Sequence, residues 1–399
     1  MKPLHNYFLA TGSWYLAYGM QSVIFAWLVT IILNETPDRV GLAQMAYLLP
    51  GTFFILIGGS IADQYGGRRI ALIGQLLAAI MAGLLALSML FTTLTYEKFL
   101  VFAVLMGCAQ AILTPARDGL LPLVSAGNIQ RRVVQASMIQ FGIQMIGFLI
   151  ASKADSMGAI LMLSLQSVVL SVGVLAYWML KVPLIQSERT QTKLFNQLFE
   201  SVREGYLSVV ASPGMRVVVI QNCAMGIFFM GSYTVTLPLL IREVYEGSSS
   251  EISYVSAANS LGLFLTITLL LRLGNVRAQG RALLLAQGAG SIVLSLAAIK
   301  LNLIVLVITL FLWGMCGGLA MTMARTIMQE LSPEDQRGRM MGFYAFSFMG
   351  AGPIGALLCG YLVDWFGPSL AMAIASAGMG LVVIIVASRS SLWHLRPKE

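Results

Sequence analysis

Charge is scarce in this sequence: Asp, Glu, Lys and Arg together make up 11% of its 399 residues, against roughly a quarter in soluble globular domains. That excludes a water-soluble enzyme. Histidine occurs only at His5 and His394, one near each end, so no imidazole is available in between for acid–base work or metal ligation. Cys108, Cys223, Cys316 and Cys359 lie in apolar runs with no C-x-x-C spacing, which argues against a disulfide framework, a metal site or any cofactor. No G-x-x-x-x-G-K-[ST] loop is present, so ATP-driven pumping by this chain has no sequence support. Acids and bases are missing from the centre of every apolar run, and with them the usual marks of proton relays and ion pathways.

What fills the chain instead is hydrocarbon: 58% of residues are hydrophobic. They form runs of about 20 residues or more, the length that crosses a core roughly 30 Å thick. Twelve such runs can be laid out, from Tyr7–Leu33 to Ser369–Ser388. The first is too long for the core of a signal peptide and reads as an uncleaved span. With the N-terminus inside, all of the 25 basic residues except Arg39, Lys98, Lys153, Arg242 and Lys300 fall on the cytoplasmic side. The positive-inside rule then places both termini in the cytoplasm and explains the net charge of +8 without nucleic acid. The expectation is an all-α membrane protein with twelve transmembrane helices.

The chain also repeats itself. Displaced by 208 positions, Cys108, Thr114, Ala116, Arg117, Leu123, Arg131, Gly142, Ile146, Gly147 and Leu149 fall on identical residues, from Cys316 to Leu357. With one further residue inserted, Asp155-Ser-Met-Gly158 matches Asp364-Trp-Phe-Gly367. Two pseudo-symmetric six-helix halves are expected, residues 1–182 and 216–399, joined by a cytoplasmic linker over 183–215. Within that linker Thr192–Val210 has the pattern of an amphipathic surface helix. Parallel halves of this kind build many secondary transporters, with a substrate site between them near the midplane.

Between the second and third runs stands Gly58-Gly-Ser-Ile-Ala-Asp63-Gln-Tyr-Gly66-Gly-Arg68-Arg69. It resembles the signature loop of the major facilitator superfamily, G-x-x-x-D-R-x-G-R-R/K, at Gly59, Asp63, Gly66 and Arg68; Gln64 and Gly67 depart from it. The resemblance implies that Asp63 meets the N-terminus of span eleven, about Glu334–Met340, and closes the cytoplasmic side. Thr114-Pro-Ala-Arg117-Asp-Gly-Leu-Leu-Pro and Pro333-Glu-Asp-Gln-Arg337-Gly-Arg339 are similar to the branch containing the enterobactin exporter, bacterial multidrug exporters and the lysophospholipid transporter. The family's antiporter proline is absent from span five, where Phe141-Gly-Ile-Gln-Met-Ile-Gly147 stands, and its arginine within span four is absent too. Both departures weigh against proton antiport.

The expected cavity is apolar with uncharged polar groups. Its candidate substrate-binding residues are Trp14, Tyr18, Gln21 and Phe25 in span one, Gln140 and Gln144 in span five, Gln221, Asn222 and Tyr233 in span seven, and Asn259 in span eight. The competing reading is that the amides bond helix to helix. Candidate gating and coupling residues are Gly59, Asp63, Gly66, Arg68, Arg117, Asp118, Arg325 and Arg339; snorkelling competes for the two repeat arginines, Arg117 and Arg325. Their shared offset points to a common role. The expected function is export of amphipathic small molecules, such as drugs or siderophores, by a monomer in a bacterial cytoplasmic membrane. Protons are a candidate coupling partner, through Asp63, Asp118 or Asp155. Transport of lysophospholipid or another lipid is the alternative, with a transport-inactive sensor or scaffold from a different class.

Overall fold

Without water in the hydrocarbon, each backbone N–H and C=O must be satisfied within its own segment or barrel. The chain solves this with helices, and no strand occurs among the described residues. The structure is a computed structural model that describes residues 3–125, 129–182, 203, 205–273, 276, 278–300, 302–333 and 337–394; at 55–60, 62–64, 129–131, 133–134, 273, 337–339, 391 and 394 only the backbone is described. Most of the expected linker helix lies outside the described residues, and 205–211 is helical.

The first half runs α1 (Pro3–Trp27), α2 (Pro37–Tyr65), α3 (Gly67–Phe91), α4 (Tyr96–Val124), α5 (Ile129–Ala151), the single turn α6 (Ala154–Met157) and α7 (Ala159–Met179). The second half runs α8 (Pro213–Ala224), α9 (Leu237–Val244), α10 (Ser249–Leu273), α11 (Gln279–Ala297), α12 (Leu303–Leu331) and α13 (Arg337–Arg389). Wide π-helical turns at Met225–Met230 and Ser232–Thr236 carry α8 into α9, and α13 is two helices broken at Gly367. Among the described residues, nine helices are long and apolar enough to cross a membrane.

Local chemistry sets the ends. Ser212 caps α8 through Met215 N, with Pro213 in the first turn, where a missing N–H costs nothing. Thr95 and Asn302 cap α4 and α12 in the same way. The corners before α3 and α7, and the break within α13, each turn on a glycine in the left-handed region: Gly66 at φ +88°, Gly158 at +81° and Gly367 at +76°. Each of these glycines closes an Asp-x-x-Gly tetrad.

Contacts gather the chain into two compact units. One comprises Met1–Glu35, Ala46–Gln191 and Gly247–Tyr254; the other comprises Thr36–Met45, Thr192–Glu246 and Val255–Glu399. Each unit therefore holds a short segment from the other half of the sequence, and the two segments lie about one repeat apart.

Within the first unit, α1 crosses α5 where a Cβ on Gly147 would sit 2.3 Å from the Leu16 carbonyl oxygen. In the second, a Cβ on Gly355 would sit 2.4 Å from the Ile227 carbonyl oxygen. The repeated glycine thus marks a repeated backbone-to-backbone crossing, the small-residue packing usual in membranes. Large apolar side chains such as Trp178, Ile292, Ile304 and Ile384 remain exposed, as expected where the solvent is lipid.

Candidate functional site

Four of the expected binding residues lie on α1, and the structure separates their roles. Trp14, Tyr18 and Gln21 line a small cavity of about 10 Å³, together with Ala17, Tyr47, Met106, Gln166 and Leu170. That is close to the minimum that holds one water. Phe25 is outside it, buried in an aromatic cluster with Tyr47 at 5.3 Å and Phe99 at 4.7 Å between ring centroids.

Across the cavity wall Gln166 Nε2 donates to Gln21 Oε1 at 2.7 Å. Gln21 Nε2 and Gln166 Oε1 are buried with no partner among the described residues. Turning both amides over exchanges the atoms but still leaves one donor and one acceptor. Tyr47 donates to Gln110 Oε1, and one helical turn from the cavity Gln75 Nε2 donates to Ser13 Oγ and to the Leu170 carbonyl. The site is polar without charge. Tyr47 and Gln166 also line it; the sequence signal for Gln166 is that it is the one amide in α7, whose other polar residues in that stretch are serines. Gln140 and Gln144 on α5 are half-buried and do not line this cavity.

In the second unit, the expected polar residues mostly tie helices together. Asn222 Nδ2 donates to the Tyr344 carbonyl and to Ser347 Oγ, and Asn259 Nδ2 to the Leu310 carbonyl. Tyr233 packs on Trp313 with ring centroids 6.1 Å apart. Gln221 and Gln287 are fully buried, and neither amide has a partner among the described residues.

The expected gating residues divide similarly. Arg68 donates from Nε to the Tyr177 carbonyl and from Nη2 to the Trp178 carbonyl, capping the C-terminal end of α7, where a cation is favoured. Gly66 provides the corner before α3. The side chains of Asp63 and Arg339 and residues 334–336 lie outside what is described, and of Gly59 only its backbone place within α2 is described.

Arg117 is 3% exposed. Its guanidinium lies 4.6 Å from the Tyr15 ring centre and pairs with Asp118 at 3.1 Å. A side chain so buried does not snorkel. Its repeat partner Arg325 is exposed. The common role expected of the two arginines therefore finds no common environment.

A third cluster surrounds Asp155 on α6. Its Oδ1 accepts from Trp27 Nε1 at 2.8 Å and Ser248 Oγ at 2.5 Å; its Oδ2 accepts from Ser249 N at 3.0 Å and Ser249 Oγ at 2.5 Å. Partial burial pushes this carboxyl upward, but the hydrogen bonds outweigh it and hold the group below its ordinary range.

The profile of the Major Facilitator Superfamily matches residues 7–346 and 222–398. The multidrug efflux pump Tap of Mycolicibacterium fortuitum is 23% identical over 383 residues, covering 92% of this chain and 91% of that protein. The staphyloferrin A transporter of Staphylococcus aureus is 22% identical over 375 residues, covering 91% and 88%. Among solved structures, the nucleoside transporter NupG superposes with a TM-score of 0.77 at 12% identity, covering 97% of this chain and 99% of its own. A bacterial homologue of the human lysosomal transporter Spinster, inward-facing and unoccupied, gives 0.68 at 15%, covering 98% and 95%. An all-helical, multi-span chain with a charge-free polar cavity, matched over nearly its whole length, belongs to the Major Facilitator Superfamily: it is an integral membrane transporter of small molecules and not an enzyme.

Proposed function

We propose that this transporter exports amphipathic or hydrophobic small molecules by alternating access, across a bacterial cytoplasmic membrane that it spans twelve times with both termini inside. The observation that carries the reading is the lining of the α1 cavity: two aromatic side chains from α1, two amides and no charge. A sugar phosphate or dicarboxylate would need a buried arginine or lysine there, whereas apolar walls with a few polar groups suit an amphipathic ligand. The names of the two relatives, a multidrug efflux pump and a siderophore transporter, support the same direction. A proton gradient is the proposed energy source, with Asp118, its side chain 66% exposed beside Arg117, as the proposed acid.

A second reading, lipid transport, is favoured by one feature: Arg117 Nη1 is buried with no partner among the described residues, a donor suited to a phosphate head group.

The test is reconstitution in vesicles loaded with ethidium or with fluorescent lysophosphatidylethanolamine. Export requires protein-dependent movement of the dye that stops with an uncoupler; movement of the lysolipid alone establishes the second reading. Movement of neither removes both and leaves a transport-inactive sensor.

A further inference from the structure

Three Asp-x-x-Gly corners punctuate the chain, at Asp63–Gly66, Asp155–Gly158 and Asp364–Gly367, each ending on a glycine of positive φ. The first lies in the family signature; the second lies outside it and apart from the cavity. Its carboxylate is the junction of three elements far apart in sequence. Trp27 ends α1, Asp155 forms α6, and Ser248 and Ser249 begin α10. The bonding is reciprocal, because Asp155 N donates back to Ser249 Oγ at 3.3 Å.

The helix start it holds is itself well built. Glu251 Oε2 accepts from Ser248 N, the return bond of a capping box, and an anion at a helix N-terminus is favoured by the helix dipole. Trp27 and Ser249 are buried, but Asp155 itself is exposed. Water can therefore replace each of its bonds, so the junction can part without stranding a buried charge. Of this helix, only the first turns, through Tyr254, group with α1 and α6; the remainder groups with the second half. A contact that fastens one end of a helix and can be exchanged for water has the properties of a catch.

We propose that Asp155 is a releasable latch: its carboxylate holds the first turn of α10 to α6 and the end of α1 during one part of the transport cycle, and these bonds are given up in another. It is a positioning residue that touches no substrate. Under the topology proposed above, it lies on the non-cytoplasmic face. The charged side chains nearest in sequence on the elements it joins are Lys153 before α6, Glu251 in α10 and Glu35 after α1; α7 offers no ionisable group before Tyr177. Four donors hold the carboxyl below its ordinary range, so release at neutral and mildly acid pH comes from movement of the helices and not from protonation of Asp155.

Two measurements on the full-length protein in lipid test this. Hydrogen–deuterium exchange over 247–254 is expected to rise about tenfold in Asp155→Asn and in Ser249→Ala, and to stay unchanged in Asp364→Asn, which alters the matching corner. A rise under twofold in Asp155→Asn overturns the latch. In a chain whose four cysteines are replaced by alanine, Asp155→Cys with Ser249→Cys is expected to cross-link under mild oxidant, stopping ethidium efflux until a reductant is added. Efflux that continues through cross-linked protein shows a fixed strut and overturns release; failure to cross-link overturns the junction. If the reduced protein moves no dye, the export reading fails, while the exchange result still decides the latch.

Discussion

Gln166 on α7 donates to Gln21 on α1 across 145 positions of sequence, joining the first and last long helices of the first half at the wall of the cavity. In membranes such interhelical bonds are worth about 0.6 kcal/mol, at most ~1.7, because partners are also found in the unfolded state within the membrane. Gln166→Leu and Gln21→Leu should each lower stability modestly, with a coupling energy in that range in a double-mutant cycle. Thermal unfolding in detergent measures it; additive effects would show that the bond contributes nothing.

The two repeat glycines of α5 predict opposite outcomes. An alanine methyl at Gly147 would stand 2.3 Å from the Leu16 carbonyl, whereas at Gly142 nothing lies within 4 Å. Gly147→Ala should cost about 1–3 kcal/mol or more through overpacking. Gly142→Ala should be neutral, or stabilising by up to ~1 kcal/mol through helix propensity. Folded yield and thermal midpoint of the two variants, side by side, decide it.

Arginine replacement should also be unequal between the halves. At Arg117 the stacking on Tyr15 is desolvated and worth about 2 kcal/mol, while the pair with Asp118 adds under ~1 kcal/mol because the carboxylate is mostly in solvent. The exposed Arg325 should lie within about 0.5 kcal/mol of neutral. Equal losses from Arg117→Ala and Arg325→Ala would contradict the asymmetry.

For pH, the sign follows from Asp155. Its folded value is depressed from the ordinary 3.8, so its contribution is present above that value and lost as pH falls through the lowered one. Protection of the amides over 247–254, corrected for intrinsic exchange, should therefore be flat from about pH 5 to 8 and fall only in strong acid. Loss of protection near neutrality would mean that another group titrates there.

Much of this architecture is legible along the chain, for a physical reason. Hydrocarbon admits helices and demands long apolar runs, so the runs announce themselves. The offset of 208 was visible in ten identities, of which Gly147 with Gly355 marks in each unit a crossing too tight for a Cβ. Helix ends were less legible: α2 runs from Pro37 to Tyr65, because the turns of a helix beyond the hydrocarbon carry charged and polar residues that no apolar run marks.

The candidate site was legible in kind and only partly in membership: Trp14, Tyr18 and Gln21 line the cavity, and so do Tyr47 and Gln166. That amides and aromatics, not charges, would face a cavity followed from composition alone. Which amides do so was decided by packing. Asn222 and Asn259 bond to carbonyls of neighbouring helices, while Gln166, the one amide of α7, bonds to Gln21. Arg117 and Arg325 share the repeat offset yet differ in burial, and the aromatic partner of Arg117, Tyr15, comes from another helix. The sequence by itself determined the helical class, the duplication and the absence of charge from the membrane, since these depend on solvent and local pattern. Only the tertiary structure decided the partners, Gln21 with Gln166, Arg117 with Tyr15 and Asp155 with Ser249, because each joins side chains that no local periodicity relates and only helix packing brings within hydrogen-bonding or stacking distance.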